Sequence, residues 1–206
     1  MPRTTMSTAD ELIAAARNGQ EAALGELLES YYSYALVLAK VQIGRRLQSK
    51  VDAADLVQET FLEAHRNFPL FRGEGAPEFT AWLRQILAGR LANVIRRYIG
   101  TQGRDVRLER DLAADLDHSS QLMDRGLTSP VSSPSRQAAR REQSLILADA
   151  LSQLPDNYRE VIILRHLEGL TFPEVARRME RSVDSVEKLW LRGLARLRKI
   201  MVTGEL

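Results

Sequence analysis

The stretch Thr171–Lys199, TFPEVARRMERSVDSVEKLWLRGLARLRK, decides the fold class because it predicts two helices separated by a tight turn. Thr171 and Glu174 have the spacing of a capping box, and Pro173 is tolerated in a first helical turn. Ser182 is a candidate N-cap for the second, longer helix. That helix has one inward-facing stripe at helical spacing, formed by Val186, Leu189, Trp190, Leu194, Leu197 and Met201. The pattern predicts a helix-turn-helix.

The opposite stripe of the second helix is polar and cationic, and it consists of Ser185, Lys188, Arg192, Arg196 and Lys199. Polar side chains at the start of such a helix can reach base edges, while cations further along hold phosphates. A helix that only faces solvent at the end of a bundle would show the same charges. The capped helix and turn before it favour DNA reading, with Ser182, Asp184, Ser185 and Lys188 nearest the bases.

Composition excludes several classes of protein. The 206 residues suit one large or two small domains, and a net charge of +2 means that any nucleic-acid surface depends on where the cations lie. The chain has no cysteine, which excludes disulfides and thiolate metal sites. His65, His118 and His166 lie far apart, so neither a metal site nor a cofactor is expected. No apolar run approaches the roughly 20 residues that span a bilayer, so we expect a cytoplasmic protein without membrane insertion.

An acidic ridge marks the helix that is predicted over 52–67. Its members are Asp52, Asp55, Glu59 and Glu63, with Gln58 beside them. One interpretation is a solvated helix face. The other is a docking surface for a basic partner, where charge sets orientation and association rate. Carboxylates could also serve acid–base catalysis or divalent metal binding, but no histidine, glycine-rich loop or second acidic cluster completes such a site. The sequence also lacks a nucleophile–base constellation, so no enzyme is expected.

The helix predicted over 79–98 carries an aromatic and cationic stripe beside its apolar one. The stripe consists of Trp82, Gln85, Gly89, Asn93 and Arg96, followed by Arg97. Stacking of a base on an aromatic ring contributes about 1–3 kcal/mol, and arginines hold the backbone, so the stripe favours single-stranded nucleic acid. Trp82 by itself would more commonly belong to a hydrophobic core, and its polar neighbours are what favour the binding surface.

Periodicity elsewhere predicts further helices and one break. Helices are expected from Thr8 to about Gly19, onward to about Gly44, and over 136–153 and 158–167. Between 101 and 135 the pattern dissolves, and the segment TSPVSSPS holds two prolines and five serine or threonine residues. We therefore expect an all-α protein with two helical domains, residues 8–100 and 136–201, joined by a flexible linker, residues 101–135.

Three segments together resemble a known family. They are DAADLVQETFLEAHRNF (52–68), FTAWLRQILAGRLANVIRR (79–97) and LPDNYREVIILRHLEGLTFPEVARRMERSVDSVEKLWLRGLARLR (154–198). Their order and spacing resemble the sigma-70 family of RNA polymerase sigma factors, in its extracytoplasmic-function (ECF) group. The resemblance covers nearly everything outside the linker. It implies promoter melting by the N-terminal half and a helix-turn-helix domain at the C-terminus.

The resemblance also implies a partner and specific residues. In that family the first segment docks on the clamp helices of the largest catalytic subunit of bacterial core RNA polymerase, which maps to Asp55, Gln58 and Glu59. The following loop, around residues 72–75, and the next helix capture flipped-out bases of the −10 element, which maps to Arg72, Trp82, Gln85, Asn93, Arg96 and Arg97. The helix-turn-helix reads the −35 element in duplex DNA, which maps to Arg181, Ser182, Asp184, Ser185, Lys188 and Arg192, with Arg177, Arg178 and Arg196 on phosphates. The chain departs from the family at four positions: Gly89 stands where asparagine is common, Asn93 where an acidic residue is, Leu189 where a basic residue is frequent, and Trp190 where an aliphatic residue is.

Two functions from different classes remain. The first is a non-catalytic promoter-specificity subunit of RNA polymerase, with promoter DNA and an anti-sigma factor as further candidate partners. The alternative is a free-standing helix-turn-helix transcriptional regulator whose N-terminal half is a sensor or dimerisation domain. The acidic ridge and the tryptophan–arginine face favour the first function, because a sensor domain would need an enclosed ligand pocket or a symmetric apolar face instead.

Overall fold

The computed structural model describes residues 9–46, 51–99, 106–124 and 137–203. Within these ranges the chain forms α-helices joined by short turns and contains no strand. The helices are α1 (Ala9–Arg17), α2 (Glu21–Ser30), α3 (Tyr32–Arg46), α4 (Ala53–Asn67), α5 (Ala76–Ile99), α6 (Val106–Asp124), α7 (Gln137–Ser152), α8 (Asp156–Ile162), α9 (Phe172–Arg178) and α10 (Val183–Thr203). The prediction of an all-α fold is confirmed.

The N-terminal bundle is built around α3, which packs against α4, α5 and α6. The helix predicted up to Gly44 is interrupted at Tyr31, which ends α2. The Tyr31 ring is buried edge-on against Phe79, with 5.1 Å between ring centroids, and its hydroxyl lies 3.1 Å from that of Thr80. The break therefore places an aromatic side chain between α3 and the start of α5.

The prediction of a flexible linker over 101–135 is wrong for residues 106–124, which form α6 and pack on α5 and α3. Leu112, Leu116 and Met123 lie on its buried face. Charged residues alternating along this segment obscure the apolar stripe in the sequence. The remaining linker residues, including the segment TSPVSSPS, lie outside the described residues.

Polar contacts fix α6 to the bundle. Arg84 on α5 lies 2.6 Å from Asp117 and donates hydrogen bonds to the hydroxyls of Tyr34 and Ser120, at 3.1 and 3.2 Å. The Tyr34 hydroxyl donates to Ser120 at 2.8 Å, and burial raises the pKa of the Tyr34 phenol. Arg46 on α3 also pairs with α6, because its Nη2 lies 2.5 Å from an Asp115 carboxylate oxygen. This network joins α3, α5 and α6.

The C-terminal half packs α10 against α7, α8 and α9, with Val161, Val175 and Val186 fully buried. A π-helical turn, Ile163–Leu167, follows α8. α7 contacts α3 and α6 of the other half, where Ser33 donates to Asp149 at 2.9 Å. The buried apolar residues of the two halves form one continuous core.

Candidate functional site

The first candidate surface lies on α4, opposite the buried residues Leu56, Val57 and Thr60. Asp55, Gln58 and Glu59 are exposed there. Leu62, one turn further on, is also exposed, at 57%. We call Asp55, Gln58, Glu59 and Leu62 the docking face. Leu62 is not among the residues predicted from the sequence, although its i, i+4 spacing from Gln58 places it on the same side of the helix.

Part of the acidic ridge is neutralised within the protein. Asp52 Oδ1 accepts the Ala54 N–H at 2.8 Å and thereby caps α4. Arg90 on α5 has its Nε 2.5 Å from Glu63 Oε2 and its Nη1 3.7 Å from Glu59 Oε2. The Arg90 Nε–H does not point at an acceptor, so the contact with Glu63 is an ion pair without an aligned hydrogen bond. Asp55 is the ridge carboxylate for which the described residues show neither a cation nor a cap.

The second candidate surface combines α5 with the loop that precedes it. Arg72, Gln85, Asn93 and Arg97 are exposed, whereas Arg96 is half-buried. Arg96 donates a hydrogen bond to the Asn93 amide oxygen, and its Nη1 lies 3.4 Å from Glu109 Oε1 of α6. Arg72 donates to the Pro69 carbonyl at 3.0 Å.

Trp82 lies in an aromatic cluster rather than on an open face. Its ring centroid is 5.1 Å from that of Phe71, 5.7 Å from Phe79 and 6.4 Å from Phe68. The side chain is only partly buried. It therefore packs as core on one side and contributes to the surface on the other. A Cβ added at Gly89, on the same helix, would meet no atom within 4 Å, so no close backbone approach explains that glycine.

The third candidate surface is the helix-turn-helix of α9 and α10. The Thr171 N–H donates to Glu174 Oε2 at 2.7 Å, which confirms the capping contact, and the hydrogen bonds from Thr171 lower the pKa of Glu174. Ser182 Oγ accepts the Ser185 N–H at 3.2 Å, as expected of an N-cap. Between the helices Glu180 adopts a left-handed conformation, with φ of 52°.

Most of the predicted −35 residues point outward. Exposed side chains are those of Arg177, Arg178, Arg181, Ser182, Asp184, Lys188, Arg192 and Arg196, while Ser185 is partly buried. Lys188 Nζ lies 2.7 Å from Asp184 Oδ2, one helical turn earlier. Arg178 instead donates to the Gly44 carbonyl at the end of α3, across the contact between the two halves.

Trp190 anchors α10 to the π-helical turn. Its indole N–H donates to His166 Nε2 at 2.9 Å, and Phe172 packs edge-on against the indole. Burial and the nearby Arg165 guanidinium lower the pKa of His166. The neutral imidazole is the form that accepts the indole hydrogen bond, so both effects support this contact.

Comparisons with known proteins match both halves. The family model for sigma-70 region 2 matches residues 32–100, and that for sigma-70 region 4 matches residues 144–197. The first span contains the docking face and α5, and the second contains the helix-turn-helix. These matches do not favour the free-standing regulator. Among the described residues, no helix contains the run of about 18 consecutive residues of high hydropathy and few charges that a membrane span needs.

Individual relatives agree with these matches. The chain is 33% identical over 144 residues to an ECF RNA polymerase sigma-E factor of Haemophilus influenzae, covering 68% of this chain and 70% of that protein. It is 31% identical over 137 residues to the protein of the same name from Escherichia coli K12, covering 66% of each. One similar solved structure is that of an RsbN–BldN complex, at 26% identity and a TM-score of 0.32; the match covers 91% of this chain and 98% of that one. Another is that of CnrH with the cytosolic domain of CnrY, at 25% identity and a TM-score of 0.35; the match covers 96% of this chain and 99% of that one. The chain belongs to the sigma-70 family of RNA polymerase sigma factors, in its ECF group.

Proposed function

We propose that this sigma factor binds bacterial core RNA polymerase through the docking face of α4, opens the −10 element with α5 and the loop before it, and reads the −35 element with α10. The observation that carries the proposal is the exposed docking face beside an exposed polar stripe on the adjacent helix, both inside the span that matches region 2. Residues 8–100 and 136–201 would then be the two functional domains. The protein would then act in the cytoplasm, where core RNA polymerase and promoter DNA are found.

The docking face suits a basic helical partner. Asp55 supplies an unpaired carboxylate among the described residues, Gln58 supplies both a donor and an acceptor, and Leu62 supplies an apolar contact. The charge would orient the encounter, and the leucine would add affinity once water is excluded from the interface. Glu59 is also available, since its ion pair with Arg90 is long and partly exposed.

Melting of the −10 element requires bases to leave the stack, at a cost of a few kcal/mol each. Gln85 and Asn93 offer hydrogen bonds to unpaired base edges, and the exposed Arg97 offers a phosphate contact. The partly exposed indole of Trp82 can stack on one base from its outer side. To contact DNA, Arg96 would have to give up its ion pair with Glu109.

The start of α10 would read the −35 element. Ser185, Lys188 and Arg192 follow one another at turns of this helix, which is the arrangement of a recognition helix in the major groove. The Lys188–Asp184 pair is exposed and worth less than about 1 kcal/mol, so it does not prevent Lys188 from turning to a base. Ser182 caps the helix, and Arg178 must leave Gly44 to reach a phosphate.

Co-purification with core RNA polymerase tests the proposal. The purified chain should bind core polymerase, and the polymerase complex should bind promoter DNA more tightly than the chain alone does. Tight duplex binding by the chain alone, with no polymerase binding, would instead support the free-standing regulator. The ECF resemblance also makes an anti-sigma factor a candidate partner. Expression of a tagged chain in the native host, followed by identification of the proteins that co-purify with it, would reveal such a partner.

A further inference from the structure

The N-terminal helix α1 holds the loop that connects α4 to α5. The Arg17 guanidinium donates a hydrogen bond to the Gly73 carbonyl and lies over the Phe71 ring, 5.4 Å from its centroid. Asp10 Oδ1 accepts the Ala76 N–H at 2.7 Å. Both ends of the loop are therefore tied to a helix that precedes the region 2 match, which begins at residue 32.

Asp10 performs the task of an N-cap for α5. The first N–H groups of a helix have no intrahelical acceptor, and α5 begins at Ala76, whose N–H points at the Asp10 carboxylate. Glu78 Oε2 accepts the preceding N–H, that of Gly75, at 3.2 Å. The start of the helix that carries the predicted −10 residues is thus capped locally by Glu78 and also by Asp10, from a distant part of the chain.

Gly73 and Gly75 of this loop have little space for a larger side chain. A Cβ added at Gly73 would lie 2.2 Å from the Glu78 Cβ and 2.6 Å from the Phe71 ring, and one at Gly75 would lie 2.9 Å from Asp10 Oδ1. Phe71 is buried and contacts both the Arg17 guanidinium and the Trp82 ring. Arg72 is exposed on this loop, whose backbone bonds to both Arg17 and Asp10.

We propose that Asp10 and Arg17 are positioning residues for −10 recognition. They hold the loop in the one geometry in which Arg72, the loop backbone and α5 meet a flipped-out base together. When a loop samples many conformations, the apparent affinity falls by the fraction that is competent, so a preorganised loop binds and discriminates better. This inference rests on the proposed function of the loop and α5 in reading the −10 element.

The test compares Asp10→Ala and Arg17→Ala with the conservative variants Asp10→Asn and Arg17→Lys, each in holoenzyme reconstituted with core polymerase. The asparagine amide oxygen could still accept the Ala76 N–H, and the lysine ammonium could still donate to the Gly73 carbonyl. Two quantities are measured: the opening rate, from 2-aminopurine fluorescence in the −10 element, and the base preference, from competition by single-stranded −10 oligonucleotides that differ at one base. Asn18→Ala, at an exposed residue that directly follows α1, is the matched control.

The alanine variants should slow opening and reduce base preference roughly tenfold, as expected when reacting groups are misplaced. The conservative variants should recover most of both, while polymerase binding and duplex −35 binding stay at wild-type levels. A merely structural role would weaken polymerase binding and leave base preference unchanged, and that result would overturn the inference.

Arg72→Ala and Gln85→Ala separate this inference from the proposed function. If these two variants impair −10 reading while the alanine variants of Asp10 and Arg17 do not, the inference fails and the proposed function stands. If all four variants leave opening and base preference unchanged, the proposed role of the loop and α5 fails, and the inference fails with it.

Discussion

The helix-turn-helix and the α4–α5 surface differ in how their functional side chains are held. On the exposed face of α10 the polar side-chain contacts are local: Ser182 Oγ accepts the Ser185 N–H, and Lys188 pairs with Asp184 one turn earlier. On α5, Arg90 pairs with α4 and Arg96 pairs with α6. The exposed side chains of α10 are therefore held by contacts within one helical turn, whereas those of α4 and α5 belong to a network that spans several helices.

The largest expected effect is at the docking face. Asp55→Arg should weaken binding of core polymerase by about 2–5 kcal/mol, because it places a cation against a basic partner where a carboxylate was. Fluorescence anisotropy of labelled chain titrated with core polymerase measures the loss. Glu26→Arg makes the same change at an exposed position of α2, and this variant should bind core polymerase normally. Equal binding by both variants would remove Asp55 from the interface.

The second effect concerns the local surface. Arg192→Ala should weaken binding of −35 duplex by about 1–3 kcal/mol if the guanidinium contacts a base, and the loss should depend on the sequence of the site. Electrophoretic mobility shifts with matched and mutated −35 duplexes measure it. Arg198→Ala, an exposed arginine of the same helix outside the predicted set, is the control. A loss equal on all sequences would assign Arg192 to phosphate.

The third effect probes the network between α4 and α5. Arg90→Met should lower the free energy of unfolding by about 1 kcal/mol, because Glu63 and Glu59 lose a partly buried cation. Arg97→Met removes an exposed arginine of the same helix and should change stability less. Urea unfolding followed by circular dichroism measures both. If the two variants are equally stable, the long-range pairing contributes nothing measurable.

The smallest effect is in the helix-turn-helix turn. A left-handed conformation costs a residue with a Cβ about 1–2 kcal/mol, so Glu180→Gly should stabilise the protein, by roughly 0.5–1 kcal/mol after the extra chain entropy of glycine in the unfolded state. Glu187→Gly, inside α10, should instead destabilise it by about 1 kcal/mol. Thermal unfolding of the two variants gives opposite shifts if the turn is strained, and two decreases would show that it is not.

The same contrast explains what the sequence could predict. The capping contacts at Thr171 and Ser182 were predictable because each joins a side chain to a backbone N–H three residues away. Helix α6 was missed because its charges, which pair with arginines of α3 and α5, dominate its pattern.

The site was predictable to a similar degree. Exposed positions such as Asp55 and Arg192 follow from helical periodicity alone. The partners of Arg90, and the hold of α1 on the loop before α5, depend on which helices meet in three dimensions, and no local pattern encodes that. Trp82 shows most clearly what local patterns cannot predict. Of its three phenylalanine neighbours, Phe68 and Phe71 precede the loop before α5 and Phe79 follows it.

The role of this chain as a promoter-specificity subunit can be tested by transcription with core RNA polymerase reconstituted with the chain. The template is a pool of genomic fragments, and start sites are mapped by sequencing. We expect start sites that appear only when the chain is present, that share two spaced elements upstream, and that disappear with Asp55→Arg. Start sites identical to those of core polymerase alone would show that the chain does not select promoters.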